Sequence, residues 1–167
     1  MQKELKQISF KRMNDVEFKV YSKWSVKAYA EHLIKSGDEK FRFKALKAAK
    51  SEFNDIFPDG TDSNDNYLYI VINSDNEKIG VIGYQKSPFE ENAAFVTENV
   101  IKEEYRGKGY ASQGLKLLIN EIRDDVQEDE IYLRVNRDNP ASLKVMLNNG
   151  GYIHHQDDTK YYVRIKR

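Results

Sequence analysis

The residues with the clearest chemical potential lie between Glu103 and Gly114, in the stretch EEYRGKGYASQG. It sets two glycines, Gly107 and Gly109, beside two cations, Arg106 and Lys108, and follows them with the small residues Ala111 and Ser112. That composition suits the start of a helix, where first-turn N–H donors are unpaired and the peptide dipoles sum to roughly +0.5 charge. Glycine lets the preceding loop curl so that those donors converge, and its missing Cβ lets an anionic oxygen reach the main chain. With the two cations adding charge, the expected chemistry is the binding of a phosphate or pyrophosphate. A solvated surface turn would carry the same residues, so the loop alone admits both readings.

Other phosphate and nucleophile motifs fail on particular residues. A Walker A loop needs Lys followed by Ser or Thr, and Lys108 is followed by Gly109. A dinucleotide fingerprint needs a third glycine where Ser112 stands, and an acidic residue about 20 positions on at a strand end. Glu128 and Asp129 fall instead in the loop before the next strand pattern. The nucleophile elbow of serine hydrolases fails because Tyr110 occupies its first glycine. The chain has no cysteine, which excludes disulfides, cysteine-ligated zinc and an acyl-cysteine intermediate. His32, His154 and His155 show no ligand spacing, so no metal site is expected.

The surrounding pattern supplies elements to hold the loop. Leu5, Ile8 and Phe10 read as a first strand ending near Met13. Asn14 and Glu17 form a capping box for a helix whose apolar face is expected at Val16, Val20, Trp24 and Ala28, continuing through Leu33 toward Gly37. A second helix is expected from Asp38, with Phe43, Leu46, Ala49, Phe53 and Ile56 inward and Pro58-Asp59-Gly60 as its stop. After a polar loop, 61–66, Tyr67–Asn73 and Lys78–Gln85 read as a hairpin, and Ala93–Lys102 as a strand entering the phosphate loop. Ala111, Leu115, Leu118, Ile122 and Val126 trace one helical face, and the acidic run 124–130 reads as a solvated end. Ile131, Leu133 and Val135 alternate as a strand. Asn139 caps a helix with Pro140 at its first position, running to about Asn149 before Gly150 and Gly151. Two closing strands follow, Tyr152–His155 and Tyr161–Lys166, with His154 and His155 expected on opposite faces.

A chain of 167 residues reads as one domain, residues 1–167. Its 27 basic and 27 acidic side chains cancel, so no overall field draws it to nucleic acid or a membrane, and neither is expected as a partner. Neither a membrane span nor a signal peptide is read, and the expected location is cytoplasmic.

On these residues the chain resembles the GNAT superfamily of N-acetyltransferases. Arg106-x-x-Gly109-x-Ala111 is similar to that family's acetyl-coenzyme A loop, and LRVNRDNPASLKVMLNNGGY, Leu133–Tyr152, is similar to its following strand, Asn-led helix and glycine turn. The resemblance implies an α/β fold with a mixed sheet of about seven strands and about four helices, in the order β-α-α-β-β-β-α-β-α-β-β. It implies acetyl-coenzyme A as co-substrate, held by Arg106, Gly107, Lys108, Gly109, Tyr110, Ala111 and Ser112, with Asn139 and Ser142 on the later helix and Lys144 near the adenosine end. It further implies that the strand before the loop splays from its parallel neighbour and offers the backbone of Val100, Ile101 and Lys102 to pantetheine.

The implied reaction is direct acetyl transfer to a primary amine in a ternary complex. Glu98 is the expected base, with Glu103 and Glu104 behind it, because an alkylamine with a pKa near 10.4 is protonated at neutral pH. The family's first two helices wall the acceptor site, so the acceptor here is expected to be a small-molecule amine or a peptide or protein amine, with the protein a monomer or homodimer. One departure stands out. Where the family carries an acid tyrosine, seven residues after the helix asparagine, this chain has Met146. That substitution gives the alternative of an acyl-coenzyme A binding or sensing module with little catalysis.

Overall fold

A computed structural model describes residues 7–87, 92–125 and 130–166. Leu5, Val126 and the acidic run at 126–129, which the sequence pattern assigns, lie outside the described residues. Contacts divide the chain into two compact units, one of residues 1–12 with 67–167 and one of residues 13–66.

The larger unit is a sheet with helices on it. Its strands are β1 (Ile8–Arg12), β2 (Asn66–Asn73), β3 (Lys78–Lys86), β4 (Ala93–Ile101), β5 (Glu130–Asn136), β6 (Tyr152–Gln156) and β7 (Lys160–Lys166), and its helices α3 (Tyr110–Asp125) and α4 (Pro140–Asn148). The sheet order is β1-β2-β3-β4-β5-β7-β6, with β4 and β5 parallel and β3–β4, β5–β7, β6–β7 and β1–β2 antiparallel. The seven strands and the helix order agree with the architecture that the resemblance implied.

The core lies where α3 and α4 meet this sheet. Leu115, Leu118, Ile119 and Ile122 of α3 are buried against Val71, Ile79, Ile82, Ala94, Ile131, Leu133 and Val163, whereas Leu117 points to solvent. The 3.6-residue period therefore chose the face correctly. Truncating any of these buried leucines to alanine would cost about 2–5 kcal/mol. Met146 belongs to the same core, 8% exposed.

The histidine pair departs from expectation. The β6–β7 register shifts between Ile153 and His155. The His154 ring meets Tyr132 at 5.9 Å and the His155 ring meets Tyr162 at 5.2 Å. Tyr132 is paired with Arg164, two residues from Tyr162, so both tyrosines occupy one face of the sheet. An irregularity in the strand turns both histidines to that side, where strict alternation would have separated them.

The smaller unit contains α1 (Asp15–Ser36) and α2 (Arg42–Ile56). The capping box forms as expected, Glu17 N–H donating to Asn14 Oδ1 at 2.9 Å and Asn14 N–H to Glu17 Oε2 at 3.1 Å. The buried face of α1 is not the one that the spacing suggested, while on α2 Ala49 and Phe53 are buried as expected and the first two residues of the stripe are not. Val16, Val20 and Trp24 are 72%, 68% and 49% exposed, and Ala28 is also exposed; Phe43 and Leu46 of α2 likewise face solvent. The inward side carries Tyr21 and Ala30 of α1 and Ala45, Ala49 and Phe53 of α2.

The reason is packing mass and close approach. Phe18, Tyr21, Phe53 and Phe57 cluster with ring centroids 5.1–6.4 Å apart, burying more apolar area than a valine stripe offers. At the other end Ala30, Ala45 and Ala49 form a small-residue contact flanked by Val26, Tyr29 and Leu33. The second helix also begins four residues later than expected. Gly37 closes α1 in the left-handed conformation (φ 82), and Phe41 is still extended (φ −113) when α2 starts.

Candidate functional site

β4 and β5 pair only over Ala93–Phe95 with Glu130–Tyr132. Beyond Phe95, β4 keeps its antiparallel partner β3 to Ile101 but has no register with β5 among the described residues. The two parallel strands thus part, leaving main-chain donors and acceptors along one edge of β4. A register shift on the β3 side leaves Thr97 as an extra residue between Val96, opposite Tyr84, and Glu98, opposite Gly83.

That bulge decides where the side chains of β4 point. Val96 packs against the core beneath α3, and Asn99 Nδ2 donates to the Ala111 carbonyl of α3 at 3.2 Å. Two residues three apart on a regular strand face opposite ways; here the extra residue brings both to the α3 side. Glu98, next to Asn99, therefore turns to the other face of the sheet, half-buried.

The loop after β4 is built by its own residues. Arg106 Nε donates to the Ile101 carbonyl at 2.9 Å, folding the loop back onto the strand end. Gly107 and Gly109 have φ of 74° and 83° with nothing within 4 Å of an added Cβ, so backbone conformation alone requires glycine there. The first bond of the α3 ladder runs from Gln113 N–H to the Gly109 carbonyl at 3.1 Å. The N–H groups of Tyr110, Ala111 and Ser112 precede it and have no intrahelical acceptor. Lys108 Nζ lies 3.4 Å from the Glu104 carbonyl and 5.5 Å from the Tyr105 ring centroid. Desolvation, and after it the nearby Glu77 carboxylate, raise the Tyr105 pKa above the ordinary phenol value.

α4 forms the opposite wall. Asn139 Oδ1 accepts from Ser142 N–H at 3.1 Å with Pro140 in the first turn, as the sequence suggested. At the far end Asn149 Nδ2 donates to Ser112 Oγ at 3.0 Å and to the Val145 carbonyl at 2.8 Å, clamping the start of α3 to the end of α4.

These pieces enclose a cavity of about 670 Å³ lined by Asn99, Val100, Ile101, Tyr105, Arg106, Gly107, Gly109, Tyr110, Ala111, Ser112, Asn139, Ala141, Ser142, Lys144, Val145 and Asn148. Three successive strand residues line it, as happens when a strand presents its edge. The lining contains two cations, Arg106 and Lys144, and no carboxylate. Of the expected binding residues, Lys102 and Lys108 are not in the lining; the Lys102 N–H instead bonds the Ile79 carbonyl at 2.9 Å. Glu98 and Met146 are also outside it. Asn99, Ala141, Val145 and Asn148 were not anticipated. The last three had a legible signal, since Ala141, Lys144, Val145 and Asn148 follow i, i+3, i+4, i+7 and share one helical face.

Among the described residues no group of three or more His, Cys, Asp and Glu is placed to hold a metal, and no helix is long and apolar enough to cross a membrane.

A mixed sheet whose parallel central strands part beside a glycine-turned helix start is the architecture of an acetyltransferase of the GNAT class. A family model described as the acetyltransferase (GNAT) domain matches residues 5–151, and the chain belongs to that family. Two Bacillus subtilis (strain 168) proteins described as uncharacterized N-acetyltransferases are similar in sequence. YycN is 30% identical over 107 residues, 64% of this chain and 68% of its own. YdgE is 26% identical over 113 residues, 67% of this chain and 71% of its own. The crystal structure of the putative acetyltransferase YycN matches with a TM-score of 0.80 at 26% identity, covering 90% of this chain and 94% of its own. Spermidine N-acetyltransferase from Vibrio cholerae, solved with CoA and spermine, matches with a TM-score of 0.70 over 96% of this chain and 95% of its own. Its identity is 13%, so that likeness concerns the fold.

Proposed function

We propose that this protein transfers the acetyl group of acetyl-coenzyme A to a primary amine. The observation that carries the reading is the convergence of an unpaired strand edge and an unsatisfied helix start on one cavity free of carboxylates. The donors at Tyr110, Ala111 and Ser112, with Arg106, suit a pyrophosphate. The edge of β4 at Val100 and Ile101 suits the amide groups of pantetheine, which add to a strand through main-chain bonds. Lys144 and Ser142 line the α4 side, where a further phosphate or the adenosine would lie. The Vibrio cholerae enzyme, bound to CoA and spermine, supports a coenzyme A thioester as the acyl source.

Acetyl-coenzyme A supplies an acetyl group already activated as a thioester. The chain's own contribution is to hold that group in place and to take a proton from the acceptor's ammonium, so that the free amine can attack the thioester carbonyl. Glu98 is the residue that would accept this proton, because it stands on the strand that edges the cavity and is turned by the bulge away from α3. Whether the proton passes directly or through water, the carboxylate must be ionised at neutral pH to accept it.

A second reading has a specific observation behind it. Met146 occupies the position of the family's acid tyrosine and is buried in the core, so that residue supplies no proton to a leaving thiolate. A thiol with a pKa near 8.5 leaves without strong acid assistance, which keeps transfer feasible. The experiment is a pair of measurements: thermal melts with coenzyme A, acetyl-coenzyme A, ATP and NAD, then thiol release from acetyl-coenzyme A across a panel of amines including polyamines, amino acids and peptides. Stabilisation by the two coenzyme A ligands with amine-dependent thiol release establishes the transferase. Stabilisation without turnover on any amine establishes the binding module.

A further inference from the structure

We infer that the acceptor amine also carries an anionic group, a carboxylate or a phosphate, received by Arg134 and Lys160. The inference rests on the transferase reading of the cavity and names the substrate class of that same site. Where β4 leaves β5, the gap between them has two sides. The side of α3 and α4 holds the cavity suited to coenzyme A, and the other side carries Glu98.

Register fixes which side chains share the face with Glu98. Phe95 pairs with Tyr132, and their rings stack at 5.3 Å on the face opposite the buried Ile131 and Leu133. Arg134, the next residue of β5 on that face, pairs with Tyr162 of β7, while Lys166, Arg164 and Lys160 lie opposite Glu130, Tyr132 and Asn136. The carboxylates and cations that β4, β5 and β7 set on this face are therefore Glu98 and Glu130 against Arg134, Lys160, Arg164 and Lys166. Glu130 is taken at the paired end of the strands, by Arg164 at 3.2 Å and Lys166 at 3.9 Å.

Arg134 and Lys160 stand at the other end, where the strands part. Arg134 is exposed and Lys160 half-buried, and among the described residues neither side chain has a hydrogen bond or ion pair. The Arg134 charge does reach Tyr162, whose pKa the hydrogen bond to Asp157 raises and Arg134 opposes. The adjoining turns are either satisfied or outside the strands. Arg137 is held by the Asp157 carbonyl at 3.1 Å and the Tyr161 ring. The Asp157 carboxylate already accepts from Thr159 N–H and Oγ1, Lys160 N–H and the Tyr162 hydroxyl. Asp138 and Asp158 are exposed on the turns themselves.

An acceptor on this face thus meets one carboxylate beside the gap and two unpaired cations across it. Its ammonium is drawn to Glu98, and the rest of the molecule lies toward Arg134 and Lys160. A carboxylate or phosphate there forms charge-assisted hydrogen bonds, bidentate with the guanidinium. A second ammonium, as in a diamine or polyamine, meets like charge instead, and a neutral alkylamine gains nothing.

The test measures thiol release from acetyl-coenzyme A by the full chain with α-, β- and γ-amino acids, phosphoethanolamine, diamines of matching length and propylamine. The best acceptor should carry an anionic group, with kcat/KM at least about tenfold above the diamine of matching length. Amino acids and phosphoethanolamine distinguish carboxylate from phosphate. Arg134→Gln should raise KM for the acidic amine about tenfold or more, with a smaller change in kcat, and Arg134→Glu should shift the preference toward diamines. Arg134 is outside the cavity lining, so the rise in Tm with coenzyme A should persist in both variants. Lys160→Gln repeats the KM test if the Arg134 variants do not fold. Diamines used as well as or better than acidic amines, or a preference that neither Arg134 nor Lys160 alters, would overturn the inference and leave the transferase standing. Coenzyme A binding without thiol release to any amine would overturn both.

Discussion

Replacing Gly109 with alanine separates conformation from contact in the loop. With φ at 83° and nothing within 4 Å of the added Cβ, the methyl group meets no neighbour. The whole cost is that of holding an L-residue in the left-handed region, about 1–2 kcal/mol. For a domain of this length, 1 kcal/mol moves Tm by about 2–4 °C, so the ligand-free Gly109→Ala protein should melt about 2–8 °C lower if the loop keeps its shape. If the loop relaxes instead, Tm recovers but the N–H groups of Tyr110, Ala111 and Ser112 no longer converge. In that case the rise in Tm with coenzyme A, about 5–10 °C for the wild type at 100 times Kd, should shrink or vanish. The two effects are complementary, and one differential scanning experiment with and without coenzyme A reads both. A variant that keeps both the wild-type Tm and the wild-type coenzyme A shift would refute the claim that backbone conformation at Gly109 builds an anion site.

Three further outcomes are expected. Glu98→Gln should lower kcat about 10²-fold with little change in the coenzyme A affinity, measured by thiol release and calorimetry; an unchanged kcat removes Glu98 as the base. Arg106→Ala loses the bond from Nε to the Ile101 carbonyl and should weaken coenzyme A binding about tenfold or more, with Arg106→Lys failing to restore it because an ammonium cannot reproduce the guanidinium geometry; isothermal titration decides. Tyr69 has a pKa raised above the usual phenol value by burial, then by its hydrogen bond to Glu121 and that carboxylate's charge, against the opposing pull of Arg12. Because the folded pKa exceeds the unfolded one, this contribution is complete below about pH 10 and is lost as pH rises beyond it. Urea titrations from pH 8 to 11 should therefore show a shallower alkaline loss of stability for Tyr69→Phe; parallel slopes would contradict the raised pKa.

Much of the site was readable because it is local. The glycine loop at 106–109, the α3 stripe through Leu115, Leu118 and Ile122, and the Asn139 cap each depend on residues within a turn or two of one another, and their local conformations survive in any context that permits a helix. The spacing between the two motifs carried the family, since one helix of fixed rise must bridge them.

The tertiary structure decided what depends on pairing between distant segments. The parting of β4 from β5 after Phe95 is a property of two strands and has no signature in either. Thr97 looks like any strand residue, yet opposite Gly83 and Tyr84 it becomes a bulge that turns Glu98 away from α3. Alternation along one strand cannot report that change, because a single unpaired residue reverses every face that follows it. The outward faces of α1 and α2 were hidden for a related reason: several apolar stripes competed, and the aromatic cluster of Phe18, Tyr21, Phe53 and Phe57 exists only once both helices are in place. By itself, then, the sequence determined which segments are helices and strands and which loop and helix start line the cavity. Which side chains meet across that frame was left to packing, where the largest buried area wins.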